Sequence, residues 1–150
     1  MEITHVAHIA KCVNNLEKSL EFYRDLLGFN VKMQQTQEML NRPGSQSDHM
    51  YQSVHNHRTV ANIYMSESDT IPFLVLTSHP DDKIDQNPIK LDQVGITHLS
   101  FKVKDLDATI KEFLSNGVKL AGNESDFRDT NGLIRTFFVY DPDGILVQFE

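Results

Sequence analysis

The residues in this sequence best suited to chemistry are His8, His98 and Gln148. Two imidazoles and one amide oxygen are donors to a divalent cation, provided the chain folds them onto equivalent places. The spacing indicates that it does. A shift of 90 residues lays Leu16 on Leu106, Leu20 on Ile110 and Tyr23 on Phe113, so two helical faces coincide. The same shift lays His8 on His98, each eight residues before the first helical leucine. Matching the ends of the two halves sets Leu74-Val75-Leu76 against Val147-Gln148-Phe149, which makes Val75 the counterpart of Gln148. Equivalent inward positions would then present His8, Val75, His98 and Gln148 to one cleft, and three of the four can bind a metal. His5 competes with His8, because Ile3-Thr4-His5 recurs as Ile96-Thr97-His98. That pairing needs a three-residue insertion before the helix, so His8 is the better match.

The elements that must position these residues follow from local pattern. Asn15 is placed to cap a helix over Leu16 to Leu27 that stops at Gly28, and Leu106 to Asn116, closed by Gly117, reads as a second. Strands are expected at Ile3 to Lys11, Phe29 to Gln35, Val60 to Met65 and Phe73 to Thr77 in the first half. In the second half they are expected at Val94 to Val103, Val118 to Ala121, Ile134 to Tyr140 and Ile145 to Phe149. Asp141-Pro142-Asp143-Gly144 is a strong turn signal before the last strand, and alternation there sets Gln148 opposite Val147 and Phe149. The polar run 36–57 reads as a long loop with one short helix around Glu38 to Asn41, a substrate-facing loop or a surface excursion. The order is strand, helix, three strands, and then the same again. That gives one domain of two modules, about 1–78 and 94–150, with a linker at about 79–93.

Composition narrows the function class. A single cysteine, Cys12, excludes an internal disulfide framework, and the opening residues lack a secretory pattern, so a cytoplasmic protein is expected. Apolar runs fall far short of the roughly 20 residues that span a membrane. The formal charge of -7, from 14 Lys and Arg against 21 Asp and Glu, argues against nucleic acid. Small molecules or protein partners remain.

The segments HIAKCVNNLEKSLEFYRDLLGF, GITHLSFKVKDLDATIKEFLSNGV and FFVYDPDGILVQFE resemble the vicinal oxygen chelate superfamily of glyoxalase I, bleomycin-resistance and extradiol dioxygenase proteins. The resemblance covers nearly the whole chain. It implies an α+β fold of two βαβββ modules forming a half-barrel cleft around a divalent metal (Fe, Mn, Ni, Zn or Mg), to which substrate oxygens bind. It carries the metal positions to His8, His98 and Gln148, and it implies a homodimer. Two departures bear on chemistry: Val75 stands where glyoxalase-like members usually have a polar ligand, and Gln148 where the last-strand ligand is normally Glu. The first favours a three-ligand face with open positions; the second leaves extra positive charge on the site.

The resulting expectation is a metal-dependent isomerase or lyase acting on a small substrate with adjacent oxygens. An extradiol-type Fe(II) dioxygenase and a metal-free, bleomycin-resistance-like binding protein are the alternatives. The general base is not identified by any matched position. Arg135, beside the last hairpin, could meet an anionic substrate or cap a sheet edge. His49, His55, His57 and His79 fall in polar stretches and are expected in solvent, with His55-Asn56-His57 as a remoter source of a base.

Overall fold

The computed structural model describes residues 2–43, 47, 49–81 and 87–150. Gly44, part of the expected long loop, and residues 82–86 of the expected linker lie outside the described residues. The chain divides into two compact units, Met1–Asp85 and Gln86–Glu150.

Unit 1 holds β1 (His8–Cys12), a helix, β2 (Asn30–Glu38), β3 (His57–Tyr64) and β4 (Phe73–Ser78). Its sheet runs β1-β4-β3-β2, with β1 parallel to β4 and the other pairs antiparallel. The helix begins as α1 (Leu16–Leu20), where Asn15 Oδ1 accepts from Lys18 N at 3.1 Å, and continues as a π-helix over Glu21–Leu26. In that wider turn the adjacent Phe22 and Tyr23 are both buried. Gly28 then ends it at φ +76°, a conformation that side chains with a Cβ resist. Helix residues Leu16, Leu20 and Tyr23 are buried, as are Ala61, Ile63, Leu74 and Leu76, which lie on one face of β3 and β4.

Unit 2 repeats the plan on a smaller scale: β5 (His98–Phe101), α2 (Leu106–Ser115), β6 (Phe137–Tyr140) and β7 (Leu146–Phe149). The sheet order is β5-β7-β6, with β5 parallel to β7. Asp105 Oδ1 caps α2 by accepting from Ala108 N at 2.9 Å. The core is aromatic: Phe113 of α2 meets Phe149 edge-on at 4.9 Å, and Phe149 stacks on Phe137 at 5.2 Å.

The α+β class expected from sequence is the observed one, with differences in the elements. The first strand starts at His8 rather than Ile3, and Val118 to Ala121 contributes a single bridge, Leu120 to Val139, instead of a strand. The chain turns away directly afterwards, because Asn123 and Asp126 form a capping box on a short 3-10 helix, Glu124–Phe127. Conversely β2 runs to Glu38 despite its polar, glutamine-rich sequence, since every residue from Gln34 to Glu38 has a partner on β3. Pairing overrides propensity there. The short helix expected around Glu38 to Asn41 is absent, its first residue having joined the strand.

Candidate functional site

Strand register tests the internal repeat directly. His8 pairs with Phe73, two residues before Val75, and His98 pairs with Leu146, two residues before Gln148. Both histidines open the first strand of their sheet, and both of those strands run parallel to the strand that carries the second position. Side chains in register share a face, so His8 and Val75 lie on one face of the unit 1 sheet, and His98 and Gln148 on one face of the unit 2 sheet. His5 precedes β1 and is exposed; its Nδ1 lies 2.9 Å from Thr4 Oγ1.

On the unit 2 face the polar atoms are ordered by their neighbours. Thr136 Oγ1 donates to the carbonyl of Phe149 at 2.9 Å, so its lone pair accepts from Gln148 Nε2, also at 2.9 Å. The amide is thereby turned with Oε1 away from the threonine, as an oxygen donor to a cation must be. His98 meets Thr97 Oγ1 through Nδ1 at 2.9 Å, which leaves Nε2 as the outward nitrogen. Phe138 pairs with Gln148 and packs its ring edge-on to His98 at 5.5 Å, closing one side of the imidazole. Beneath, Asp141 sets the turn that leads into β7: its Oδ1 accepts from Asp143 N and Ile145 N at 3.0 and 2.9 Å, with Gly144 at φ +80°.

The unit 1 face is built differently. His8 is exposed, beside Phe73 at 5.4 Å, and Phe73 stacks on Tyr64 at 4.8 Å. Val75 presents no donor. Cys12 is exposed on the same face of β1, two positions beyond Ala10. Among the described residues no three His, Cys, Asp or Glu side chains form a metal set, and Gln148 belongs to none of those types.

Arg135 is 73% exposed and reaches Asp129 Oδ2 at 3.4 Å. The expectation of solvated loop histidines is corrected for two of them. His55 and His79 are 6% and 7% exposed and stack on one another at 3.8 Å, with the Tyr51 ring edge-on to both. Ring stacking offsets part of the loss of water on burial, which a reading of local polarity does not capture. His57 is half-exposed and pairs with Asp81 at 2.9 Å. Sequence reasoning missed the two threonines that orient the donors. Thr97 was visible as part of the Ile-Thr-His recurrence; Thr136 carried no signal, because its role depends on a carbonyl 13 residues away.

Fold, register and paired faces together define the class. The chain belongs to the Glyoxalase/Bleomycin resistance protein/Dioxygenase superfamily, whose family model matches residues 5–149. Among solved structures it is similar to a glyoxalase family protein from Bacillus cereus, at 15% identity and a TM-score of 0.74 over 99% of this chain and 94% of that one. It is also similar to the trypanothione-dependent glyoxalase I of Leishmania major, at 20% identity and a TM-score of 0.64 over 98% and 86% of the two chains. A glyoxalase/dioxygenase from Nostoc punctiforme gives 24% identity and a TM-score of 0.60 over 96% and 88%. No significant match was found among curated proteins. At these identities the structures establish the fold. Among the described residues no helix is long and apolar enough to cross a membrane.

Proposed function

We propose that this protein is a divalent-metal-dependent isomerase or lyase acting on a small substrate with adjacent oxygens, with His98, Gln148 and His8 as metal ligands. The observation that carries this reading is the orientation of the unit 2 donors: Thr136 holds the Gln148 amide through Nε2 and Thr97 the His98 ring through Nδ1, so that among the described residues Oε1 and Nε2 take no hydrogen bond. A bound divalent cation supplies Lewis acidity toward vicinal oxygens. The chain's own part is to hold the donors still, and the ring of Phe138 excludes water from one side of His98. With an amide at 148 and an aliphatic side chain at 75, neither position can accept a proton, so the base comes from elsewhere. Arg135 would contact an anionic part of the substrate in competition with Asp129. A cytoplasmic homodimer is the corresponding biological form.

A second reading, a metal-free binder of flat apolar molecules, is favoured by Val75 and by the ring row Tyr64, Phe73 and His8 on the unit 1 face. Elemental analysis of protein purified without chelator decides between them. Stoichiometric metal that is lost in His98→Ala supports the enzyme; no metal under several divalent supplements overturns it. Oxygen uptake with catechols and Fe(II) then separates a dioxygenase from an isomerase.

A further inference from the structure

Among the described residues Arg58 differs from three other arginines of this acidic chain. Arg24 holds Asp25, Arg128 holds Asp107 and Glu124, and Arg135 holds Asp129. Arg58, which is half-buried, holds a neutral amide: its Nε donates to Gln37 Oε1 at 2.8 Å, and among the described residues no carboxylate meets its two remaining nitrogens. The same Gln37 oxygen accepts from Arg42 Nη1 at 2.8 Å, so two guanidinium nitrogens lie within about 5.6 Å of one another, the sum of those bonds. A partly desolvated guanidinium ordinarily has an anion.

The place is as informative as the charge. Arg58 pairs with Gln37 across β3 and β2, at the neck of the long loop, where Met39 N donates to Asn56 O at 2.8 Å. Alternation along β3 sets Arg58 on the same face as Asn62 and Tyr64, and Tyr64 stacks on Phe73 beside His8. Asn62 pairs with Val75. Four to six strand residues therefore separate Arg58 from the His8 and Val75 end of that face, about 13 to 20 Å at roughly 3.3 Å per residue.

We propose that Arg58 is a binding site for a carboxylate or phosphate group. Its guanidinium is anchored through Nε and offers Nη1 and Nη2 to two oxygens of the anion.

The test uses the full-length, chelator-treated protein, so it stands whether or not a metal is bound. Inorganic phosphate and succinate are titrated separately into ¹⁵N-labelled protein while the Arg58 Nε–Hε resonance, identified by its loss in Arg58→Lys, is followed. A saturable shift is expected, with the tighter anion naming the preferred group, and Arg58→Gln should weaken binding at least about tenfold while Arg24→Gln stays within about twofold. An unmoved Arg58 resonance with both anions overturns the proposal. So does an Arg58→Gln protein that melts like wild type and binds them equally well.

Discussion

The two sheet faces arise from one backbone plan and are finished in opposite ways. Each has a capped helix 90 residues from its counterpart, a first strand opened by a histidine, and a parallel partner strand carrying the second position two residues on. On the unit 2 face each donor has a threonine that fixes which atom it shows. On the unit 1 face the histidine lies beside the ring of Phe73, its partner position is Val75, and a hydrogen-bonded polar pair, Gln37 and Arg58, lies at the far end. The difference teaches that a repeat can preserve scaffold positions while changing the side chains they carry: hydrogen-bonded polar donors on one face, aromatic and aliphatic groups on the other.

The comparison breaks first if the unit 2 scaffold is removed. Phe149 neighbours Gln148 and joins Phe113 and Phe137 in the aromatic core, so Phe149→Ala should cost about 3–5 kcal/mol in urea unfolding. A loss below about 1 kcal/mol would mean that this cluster is not what holds the strand. The next effect falls on the orienting threonine. Thr136→Val should weaken divalent-metal affinity by roughly 10- to 100-fold and alter the visible spectrum of the Co(II)-substituted protein, with Thr136→Ser restoring both. Unchanged affinity in the valine variant would sink the orienting role. Val75→Glu, which gives the unit 1 face the donor it lacks, should tighten metal binding instead.

A smaller, symmetric test asks whether the helices are equivalent. Asn15→Ala and Asp105→Ala each remove one side-chain acceptor from a helix N-terminus and should each cost about 1 kcal/mol. A large inequality would show that the π-helical continuation of α1 carries a stability of its own that the regular α2 lacks.

How much of this could be read from sequence follows the same division. The start of the first helix and the stops of both were legible because Asn15, Gly28 and Gly117 act within a few residues of themselves. The correspondence of His8 with His98 and of Val75 with Gln148 was legible because periodicity and strand parity are local too. What was hidden was decided at long range. The strand content of Gln34 to Glu38 depends on β3, some twenty residues on; the burial of His55 depends on His79; the amide orientation of Gln148 depends on Thr136. Fold and candidate ligands were thus readable in outline, and the atoms that orient them were not.

Acid should act on the two units unequally. In unit 2 the turn at 129–133 is held by a carboxylate: Asp129 Oδ1 accepts from Leu133 N at 3.0 Å and Asn131 N at 2.9 Å, while Arg135 reaches Oδ2. The backbone N–H of Leu133 is the largest cause holding the Asp129 carboxyl below its ordinary value, with Asn131 and Arg135 adding to it. A depressed folded value contributes stability that is present above the unfolded value, about 3.9, and is lost as pH falls through the folded one. The unit 1 loop contact is made instead by the rings of Tyr51, His55 and His79. The amide resonances of Asn131 and Leu133 should therefore shift together below the ordinary aspartate range. Asp129→Asn keeps the acceptor without the titration and should abolish that shift; its persistence in the variant would assign it to another group.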